Sequence, residues 1–181
     1  DETAEPARIA NLKITGAEEE ILTGETLQLS VQIVPENASD SKVIWSSSDE
    51  SIAAVDQNGL VTALRYGKVT ITAQDADAEN VKAEIEIQIR FSDVSGYYYD
   101  AVYWAADNGI TQGYDKVYFG PEKNCQRREL MIFLWRMEGC PDSSTDPQEI
   151  FSDMDEYGSD TATYKAVAWG VENGIVKGYI N

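Results

Sequence analysis

The chain has 181 residues, of which 43% are hydrophobic, enough for one large domain or two ordinary ones with packed cores. Its formal net charge is −18, and it is spread over both halves, −10 up to Arg90 and −8 beyond it. Such a field repels nucleic acid and anionic membrane surfaces, whose recognition needs clustered Lys and Arg. The sequence has no histidine, which excludes Ser-His-Asp and Cys-His catalysis and histidine zinc sites.

Neither a membrane span nor an export signal is visible in the sequence. No run approaches the 18 apolar residues that a spanning helix needs. The first ten residues, DETAEPARIA, have the pattern of neither a signal peptide nor a transit peptide. If the protein is exported, we therefore expect its leader to have been removed.

The first ninety residues alternate between apolar and polar side chains, with turn residues at the intervals of a small β-sandwich. The predicted strands are Thr26–Val34, Val43–Ser46, Ile52–Val55, Leu60–Ala63, Lys68–Ala73 and Val81–Ile89. The pair Asn58-Gly59 stands between two short apolar runs, which is a strong signal for a β-hairpin. We therefore predict an immunoglobulin-like β-sandwich over residues 1–90.

Five short motifs in this half resemble those of the bacterial immunoglobulin-like domain of group 2. They are G-E-T from Gly24, P-E-N-A from Pro35, V-I-W-S-S-S from Val43, A-A-V-D-Q-N-G-L-V-T-A from Ala53 and G-K-V-T-I-T-A from Gly67. The resemblance covers about residues 8–90 and implies a β-sandwich, in agreement with the alternation. Large aromatic residues in strands are usually buried, so we predict that Trp45 belongs to the core.

After Phe91 the apolar period changes from two to that of a helix. Tyr99, Val102, Tyr103 and Ala106 fall on one helical stripe, and Asn108-Gly109 is a pair typical of a helix end. A second helix is predicted from about Gln126 to Glu138. The three tryptophans of this half lie inside predicted helices, and we expect them to be buried: Trp104, Trp135 and Trp169.

The second half also contains an internal repeat. AVYWAADNGITQGY begins at Ala101, and AVAWGVENGIVKGY begins 65 residues later at Ala166. Eight of the fourteen positions are identical, including one Trp and two Gly in register. A match of this length indicates a repeated structural unit.

Two cysteines, Cys125 and Cys140, flank the second predicted helix. Thirteen helical residues span roughly 20 Å. A disulfide needs Cα atoms within about 7 Å of each other. We therefore predict two separate thiols.

A set of motifs in the second half resembles the S-layer homology domain, which attaches exported bacterial proteins to cell-wall polymers. The motifs are F-S-D-V from Phe91, G-I-T-Q-G from Gly109, F-G-P from Phe119, Q-R-R-E from Gln126 and R-M-E-G from Arg136. Residues 91–140 supply one whole unit, and residues 151–181 supply the first part of another, beginning at Phe151. The resemblance implies an all-α, helical repeat domain over residues 91–181.

The resemblance also implies a binding groove for a negatively charged, often pyruvylated, wall polysaccharide. The residues carried over are Asp93, Tyr97, Gly113 and Arg127 of the first unit and Asp153 and Gly178 of the second. Arginine pairs with carboxylates, an aromatic ring carries a sugar ring, and glycine lets backbone N–H groups approach a ligand. Structural roles compete with these: each aspartate can cap the segment that follows it, and Arg127 can pair with Glu129.

The usual aromatic residue before the first helix is Tyr97 in the first unit and Ala162 in the second. We predict a non-catalytic module of the bacterial cell surface, without cofactor or metal. In it an immunoglobulin-like spacer or adhesion domain is joined to a domain that binds cell-wall polysaccharide and so anchors an exported, extracellular protein. Two alternatives stay open. The immunoglobulin-like domain is an adhesin for a host protein or glycan, or both domains are accessory modules of a larger exported enzyme.

Overall fold

The computed structural model describes residues 7–38, 42–154, 158–159 and 161–178. The chain forms two compact units. The first contains the described residues up to Val94 and a later segment, Tyr114–Phe119. The second contains Ser95–Gly113 and the described residues from Gly120 onward. The end of the repeated phrase, from Tyr179, lies outside the described residues.

The described part of the first unit is built from nine β-strands. They are β1 (Asn11–Thr15), β2 (Glu20–Leu22), β3 (Thr26–Gln28), β4 (Ser30–Val34), β5 (Val43–Ser47), β6 (Ala53–Val55), β7 (Leu60–Ala63), β8 (Gly67–Asp75) and β9 (Lys82–Arg90). One sheet has the order β2-β9-β8-β5, a second has the order β3-β7-β6, and β1 pairs with β4. Apolar side chains of the four-stranded and the three-stranded sheets share one core, as the predicted β-sandwich requires.

The core is densest on the two long central strands. Val69 and Ile71 of β8 and Ile87 and Ile89 of β9 are at most 1% exposed, in strict alternation with polar neighbours. Burial of each such side chain contributes about 1.5 to 3 kcal/mol relative to its exposure to water. Trp45 is 6% exposed within the same core, which confirms its predicted place.

The strands from Val43 onward begin and end within two residues of their predicted bounds. The predicted strand Thr26–Val34 is two strands instead, because the chain changes partners at Leu29. Before Leu29 it pairs with β7, and after it with β1. The amide of Leu29 donates to the carbonyl of Gly59 at 2.9 Å, and its side chain is 0% exposed. Of the two short strands that precede Thr26, β1 pairs with β4, and β2 is an edge strand of the four-stranded sheet.

The predicted hairpin at Asn58-Gly59 is confirmed. β6 and β7 are antiparallel, with Val55 opposite Val61. A carboxylate oxygen of Asp56 accepts hydrogen bonds from the amides of Leu60 at 2.9 Å and Asn58 at 2.8 Å. These bonds hold the pKa of Asp56 below its usual value, and the bond from the Leu60 amide is the largest cause.

The segment Tyr114–Phe119 is part of the first unit although it lies far along the chain. The buried hydroxyl of Thr23 donates to the carbonyl of Val117 at 2.6 Å. The carboxylate of Asp93 accepts from the amide of Phe119 at 2.8 Å. Polar groups of the sandwich and of the residues just after β9 therefore hold this segment by its backbone.

The regular elements described in the second unit are helices. They are α1 (Tyr99–Asp107), α2 (Arg127–Met137) and α3 (Ala162–Glu172), with 3-10 turns at Gly96–Tyr98, Pro147–Glu149 and Ser152–Met154. α2 packs against α3 through Met131, Trp135 and Ala166. The second predicted helix is thus present within one residue of its expected bounds.

α1 and α3 end in the same way, which shows that the sequence repeat is a structural repeat. The side-chain amides of Asn108 and Asn173 donate to the carbonyls of Trp104 and Trp169, at 2.8 and 2.9 Å. The glycine that follows each asparagine has φ 69°. A left-handed residue just past the last turn is tolerated best when it is glycine.

The three tryptophans of the second unit differ in burial. Trp135 is 9% exposed, as predicted, and Trp169 is partly buried against the cluster of Met131, Trp135 and Ala166. Trp104 is 57% exposed, so the prediction that it belongs to the core is wrong. In α3 the tryptophan faces α2, whereas in α1 the corresponding tryptophan faces outward.

The two cysteines are separate, as predicted. Cys125 precedes α2 and Cys140 follows it, and both are exposed free thiols. The length of α2 keeps them apart.

Candidate functional site

A cleft of about 480 Å³ opens in the second unit, beside the start of α2. Its walls come from α2, from the 3-10 turn that opens the second repeat, from α3 and from the residues that follow α3. The lining residues are Arg127, Arg128, Leu130, Met131, Leu134, Phe151, Asp153, Met154, Thr163, Val167, Ile175, Val176, Lys177 and Gly178. Three residues predicted to bind a ligand, Arg127, Asp153 and Gly178, therefore meet at one cleft.

The first turn of α2 is fixed by hydrogen bonds on either side of Arg127. The carboxylate of Glu129 accepts from the amide of Gln126 at 2.7 Å, the reciprocal bond of a capping box. The guanidinium Nε of Arg128 donates to the side-chain oxygen of Gln126 at 2.6 Å. Arg127 is the first helical residue, and its side chain is exposed at the cleft.

A cation at the first position of a helix is opposed by the partial positive charge of the helix N-terminus. Arg127 and Arg128 are the first two residues of α2. The dipole therefore gives no reason for their position, whereas a bound anion would interact favourably with both side chains and with the helix end.

The charge of the cleft is opposite in sign to that of the chain. Arg127, Arg128 and Lys177 line it together with one acidic residue, Asp153, while the chain as a whole carries −18. Concentrated positive charge in a concave surface raises the local concentration of anions. The cleft is thus suited to a ligand that carries negative charge.

The rest of the lining is largely apolar. Met131, Met154 and Val167 are 5 to 8% exposed and form part of the wall. Gly178 lies against the ring of Phe151, since a Cβ on Gly178 would come within 2.7 Å of Phe151 Cε1. Any side chain at residue 178 would displace the ring, so glycine keeps both the ring and the backbone beside it in place.

The other three predicted residues lie elsewhere. Asp93 belongs to the first unit, where its carboxylate accepts from the amide of Phe119 at 2.8 Å. Tyr97 is 89% exposed, and its ring centroid lies 4.5 Å from that of Tyr98. Gly113 has φ 77°, and its amide donates to the hydroxyl of Thr111 at 3.3 Å. Asp93 and Gly113 thus have structural partners within the chain.

The sequence analysis did not predict three residues of the cleft. They are the cations Arg128 and Lys177 and the aromatic residue Phe151. Arg128 and Lys177 are the chain neighbours of Arg127 and Gly178. In a chain with 32 acidic and 14 basic residues, basic residues next to two predicted ligand positions were a usable signal. Phe151 is the first residue of the second F-x-D motif, so its place in that motif was a usable signal as well.

Among the described residues, no group of three or more Cys, Asp or Glu side chains is placed to hold a metal ion. No helix in this part of the chain is long and apolar enough to cross a membrane.

Residues 9–85 match the family model of the bacterial Ig-like domain (group 2), and residues 90–131 match that of the S-layer homology domain. The two matches confirm the predicted order of domains. Both domains are non-catalytic types, and together they indicate a module of the bacterial cell surface.

Curated relatives match short parts of this chain. An uncharacterised protein of Clostridium acetobutylicum is 46% identical over 72 residues, which are 40% of this chain and 7% of that protein. A 3-O-alpha-D-galactosyl-alpha-L-arabinofuranosidase of Bifidobacterium longum subsp. longum is 38% identical over 66 residues, 36% of this chain and 6% of the enzyme. The chain thus spans less than a tenth of the length of either relative.

Among solved structures, a mutant intimin of EHEC O157:H7 is 24% identical, with a TM-score of 0.36 over 55% of this chain and 59% of that chain. Domains 4 and 5 of the S-layer protein SbsC are 14% identical, with a TM-score of 0.36 over 45% of this chain and 52% of that chain.

Proposed function

We propose that this chain is an anchoring module that holds an exported bacterial protein on the cell wall by binding an anionic wall polysaccharide in the cleft of the second unit. The observation that carries the proposal is the meeting of Arg127, Asp153 and Gly178 at one positively charged cleft in a strongly acidic chain. The match to the S-layer homology domain supports a wall polymer as the ligand.

Each part of the cleft has a role in this proposal. The guanidinium of Arg127 pairs with a carboxylate of the glycan through two parallel hydrogen bonds, and Lys177 adds a second positive charge. The carboxylate of Asp153 accepts hydrogen bonds from sugar hydroxyls. Phe151 offers an apolar surface to the C–H face of a sugar, and the exposed backbone at Gly178 lets the sugar approach closely.

The domain division at residues 90 and 91, with repeats at 91–140 and 151–181, is part of the same proposal. In it the β-sandwich is a spacer that separates the anchored helical domain from the rest of the exported protein. Asp93, Tyr97 and Gly113 stay predicted ligand residues, but the proposal does not depend on them.

The proposal is tested by retention on isolated walls of a Gram-positive bacterium, with and without chemical removal of their secondary polymers. The unaltered chain should sediment with intact walls and stay in solution with stripped walls. Arg127→Ala should weaken retention about 10- to 100-fold, since a charge-assisted hydrogen bond contributes about 1.5 to 3 kcal/mol.

Arg65→Ala is the matched control, because it removes the same charge from an exposed position of the first unit. It should leave retention unchanged. Arg127→Lys keeps the charge but loses the planar fork, so it should bind between the unaltered chain and Arg127→Ala. Retention that is insensitive to both Arg127 and polymer removal would reject the proposal and favour an adhesive role for the β-sandwich.

A further inference from the structure

The Asn-Gly pairs of this chain carry a chemistry of their own. There are three, Asn58-Gly59, Asn108-Gly109 and Asn173-Gly174, and all three asparagines are exposed. Glycine has no side chain to shield its backbone nitrogen, which can therefore attack the carboxamide carbon of the asparagine before it. The new bond closes a cyclic imide, and the carboxamide nitrogen leaves as ammonia. Water then opens the imide to aspartate or isoaspartate, so that one water enters and one ammonia leaves.

The folded chain opposes this reaction at each pair, because the attacking nitrogen is already engaged. The amides of Gly59, Gly109 and Gly174 each donate to a backbone carbonyl at 3.0 Å. Attack therefore requires a local opening that breaks this hydrogen bond and brings the nitrogen to the carboxamide. The pair whose opening disturbs the fewest contacts should react first.

Opening is costly at the first two pairs. Gly59 is buried, and a Cβ on it would lie 2.6 Å from the carbonyl oxygen of Leu29. Gly109 is followed by Ile110, which is 7% exposed and whose carbonyl accepts a hydrogen bond from Nη1 of Arg136 at 3.0 Å. Movement of these turns thus disturbs packed neighbours at Gly59 and a charge-assisted hydrogen bond at Ile110.

The turn at Gly174 has neither restraint. Ile175, the counterpart of Ile110 in the second repeat, is 49% exposed. Among the described residues, no side chain donates to the carbonyl of Ile175 as Arg136 does to that of Ile110. Asn173-Gly174 is therefore the pair that opens at the least cost.

We propose that Asn173 is a site of spontaneous deamidation and that the change weakens the cleft of the second unit. The side-chain amide of Asn173 donates to the carbonyl of Trp169 at 2.9 Å, a bond that a carboxylate cannot make. A negative charge at this position is also opposed by the partial negative charge of the helix C-terminus. The end of α3 is thus destabilised once Asn173 has reacted.

The change reaches the cleft through the backbone. Residues 175–178, which directly follow the pair, all line the cleft. Isoaspartate inserts one carbon into the backbone just before them, and either product adds a negative charge near a cleft that attracts anions through Arg127 and Lys177. Weaker wall binding by the modified chain rests on the proposed function, whereas the modification itself does not.

Peptide mapping by mass spectrometry of the chain, aged in neutral buffer, tests where the reaction occurs. We expect Asn173 to convert at least about tenfold faster than Asn108, since opening at Asn108 also breaks the Arg136 hydrogen bond and exposes Ile110. In denaturant all three pairs should convert at similar rates, because their differences come from the fold. Arg136→Met should narrow the difference by raising the rate at Asn108. No conversion at Asn173, or earlier conversion at Asn108 or Asn58, would overturn the proposal.

Two substitutions test the effect on the cleft. Asn173→Asp reproduces the aspartyl product, and Asn108→Asp is the matched control because it alters the same helix cap in the other repeat. The backbone amide signals of residues 175–178 in ¹⁵N spectra should move in Asn173→Asp and stay in place in Asn108→Asp. Wall retention should fall roughly two- to fivefold in Asn173→Asp alone, since the added charge acts through water.

Unmoved signals in Asn173→Asp would overturn the link between this residue and the cleft. If the unaltered chain were not retained by walls at all, the proposed function would fail. The order of conversion and the amide signals would still decide the present proposal, because neither measurement uses the wall.

Discussion

Single glycine residues decide where two parts of this chain come close, and Gly59 does so in the sandwich. Its φ is 80°, and a Cβ there would lie 2.6 Å from the carbonyl oxygen of Leu29 and 3.1 Å from the ring of Trp45. The sequence predicted a turn at the Asn-Gly pair because turn formation depends on adjacent residues. It did not predict the contact between Gly59 and Leu29, since that contact depends on where the chain passes from one sheet to the other.

Gly59→Ala should therefore destabilise the first unit by roughly 3 kcal/mol, from left-handed strain and from the backbone clash. Gly24→Ala is the control, because Gly24 has φ 87° but nothing within 4 Å of a Cβ. It should lose only about 1 to 2 kcal/mol. Native-state hydrogen exchange of the buried β8 amides measures both values for this unit alone. Equal losses would show that the clash with Leu29 and Trp45 relaxes freely.

Among the elements, those with local signals were predicted well and those with distant partners were not. The C-terminal end of α1 was predicted from its Asn-Gly pair, and the bounds of α2 were predicted from the spacing of its apolar residues. Both signals lie within the helix or directly beside it. The burial of Trp104 failed as a prediction because an apolar residue in a helix pattern reveals a face but not whether another helix covers it. The same limit explains why the strand around Leu29 was predicted as one.

A hydrogen bond between Tyr164 and Asp146 ties the loop before the second repeat to α3, and its loss is measurable. The hydroxyl of Tyr164 donates to Asp146 Oδ1 at 2.6 Å, and the amide of Gln148 donates to the same oxygen at 2.9 Å. The bond from Tyr164 is the larger cause of the lowered pKa of Asp146, and it raises the pKa of Tyr164 in turn.

Tyr164→Phe should raise the pKa of Asp146 toward its usual value of 3.8, though not fully, because the Gln148 amide still donates. Since the folded pKa is depressed, these bonds stabilise the fold above pH 3.8 and are lost as pH falls through the lower folded value. A carboxyl ¹³C titration of the chain and of the variant measures the shift. Tyr98→Phe, which removes a similar bond to Glu122, is the control and should leave Asp146 unchanged. An unchanged pKa in Tyr164→Phe would contradict the assignment.

Over the whole molecule, the motifs predicted the two kinds of domain and three of the residues that meet at the cleft. They did not predict that Tyr114–Phe119, in the middle of the first S-layer homology unit, belongs to the compact unit of the sandwich. The sequence distance of 94 residues between Thr23 and Val117 gives no local signal for their hydrogen bond. Asp93 was predicted as a ligand residue from its motif. In the structure its carboxylate accepts a hydrogen bond from the amide of Phe119, a partner that is also too far along the chain to be read from the motif.

A fragment that ends at Val94 should therefore be less stable than the same unit in the whole chain. It loses the acceptor of the Thr23 hydroxyl, the donor to Asp93 and the Phe119 ring, whose centroid lies 5.6 Å from that of Phe91, a side chain only 1% exposed in the chain. Two hydrogen bonds and one aromatic contact amount to about 2 to 4 kcal/mol. Hydrogen exchange of the β8 amides in fragment and chain gives the difference.

Two variants of the whole chain separate these contributions. Phe119→Ala removes the ring and keeps both hydrogen bonds to the backbone of the segment, so it should show part of the loss seen in the fragment. Thr23→Val keeps the shape but leaves the carbonyl of Val117 without its donor and the amide of Ser92 without its acceptor. Its loss should therefore combine the hydrogen bond to Val117 with the bond to Ser92, which the fragment keeps. If the fragment were as stable as the chain, the sandwich would be complete without the segment. The predicted domain boundary near residue 90 would then also be the boundary of the unit that folds independently.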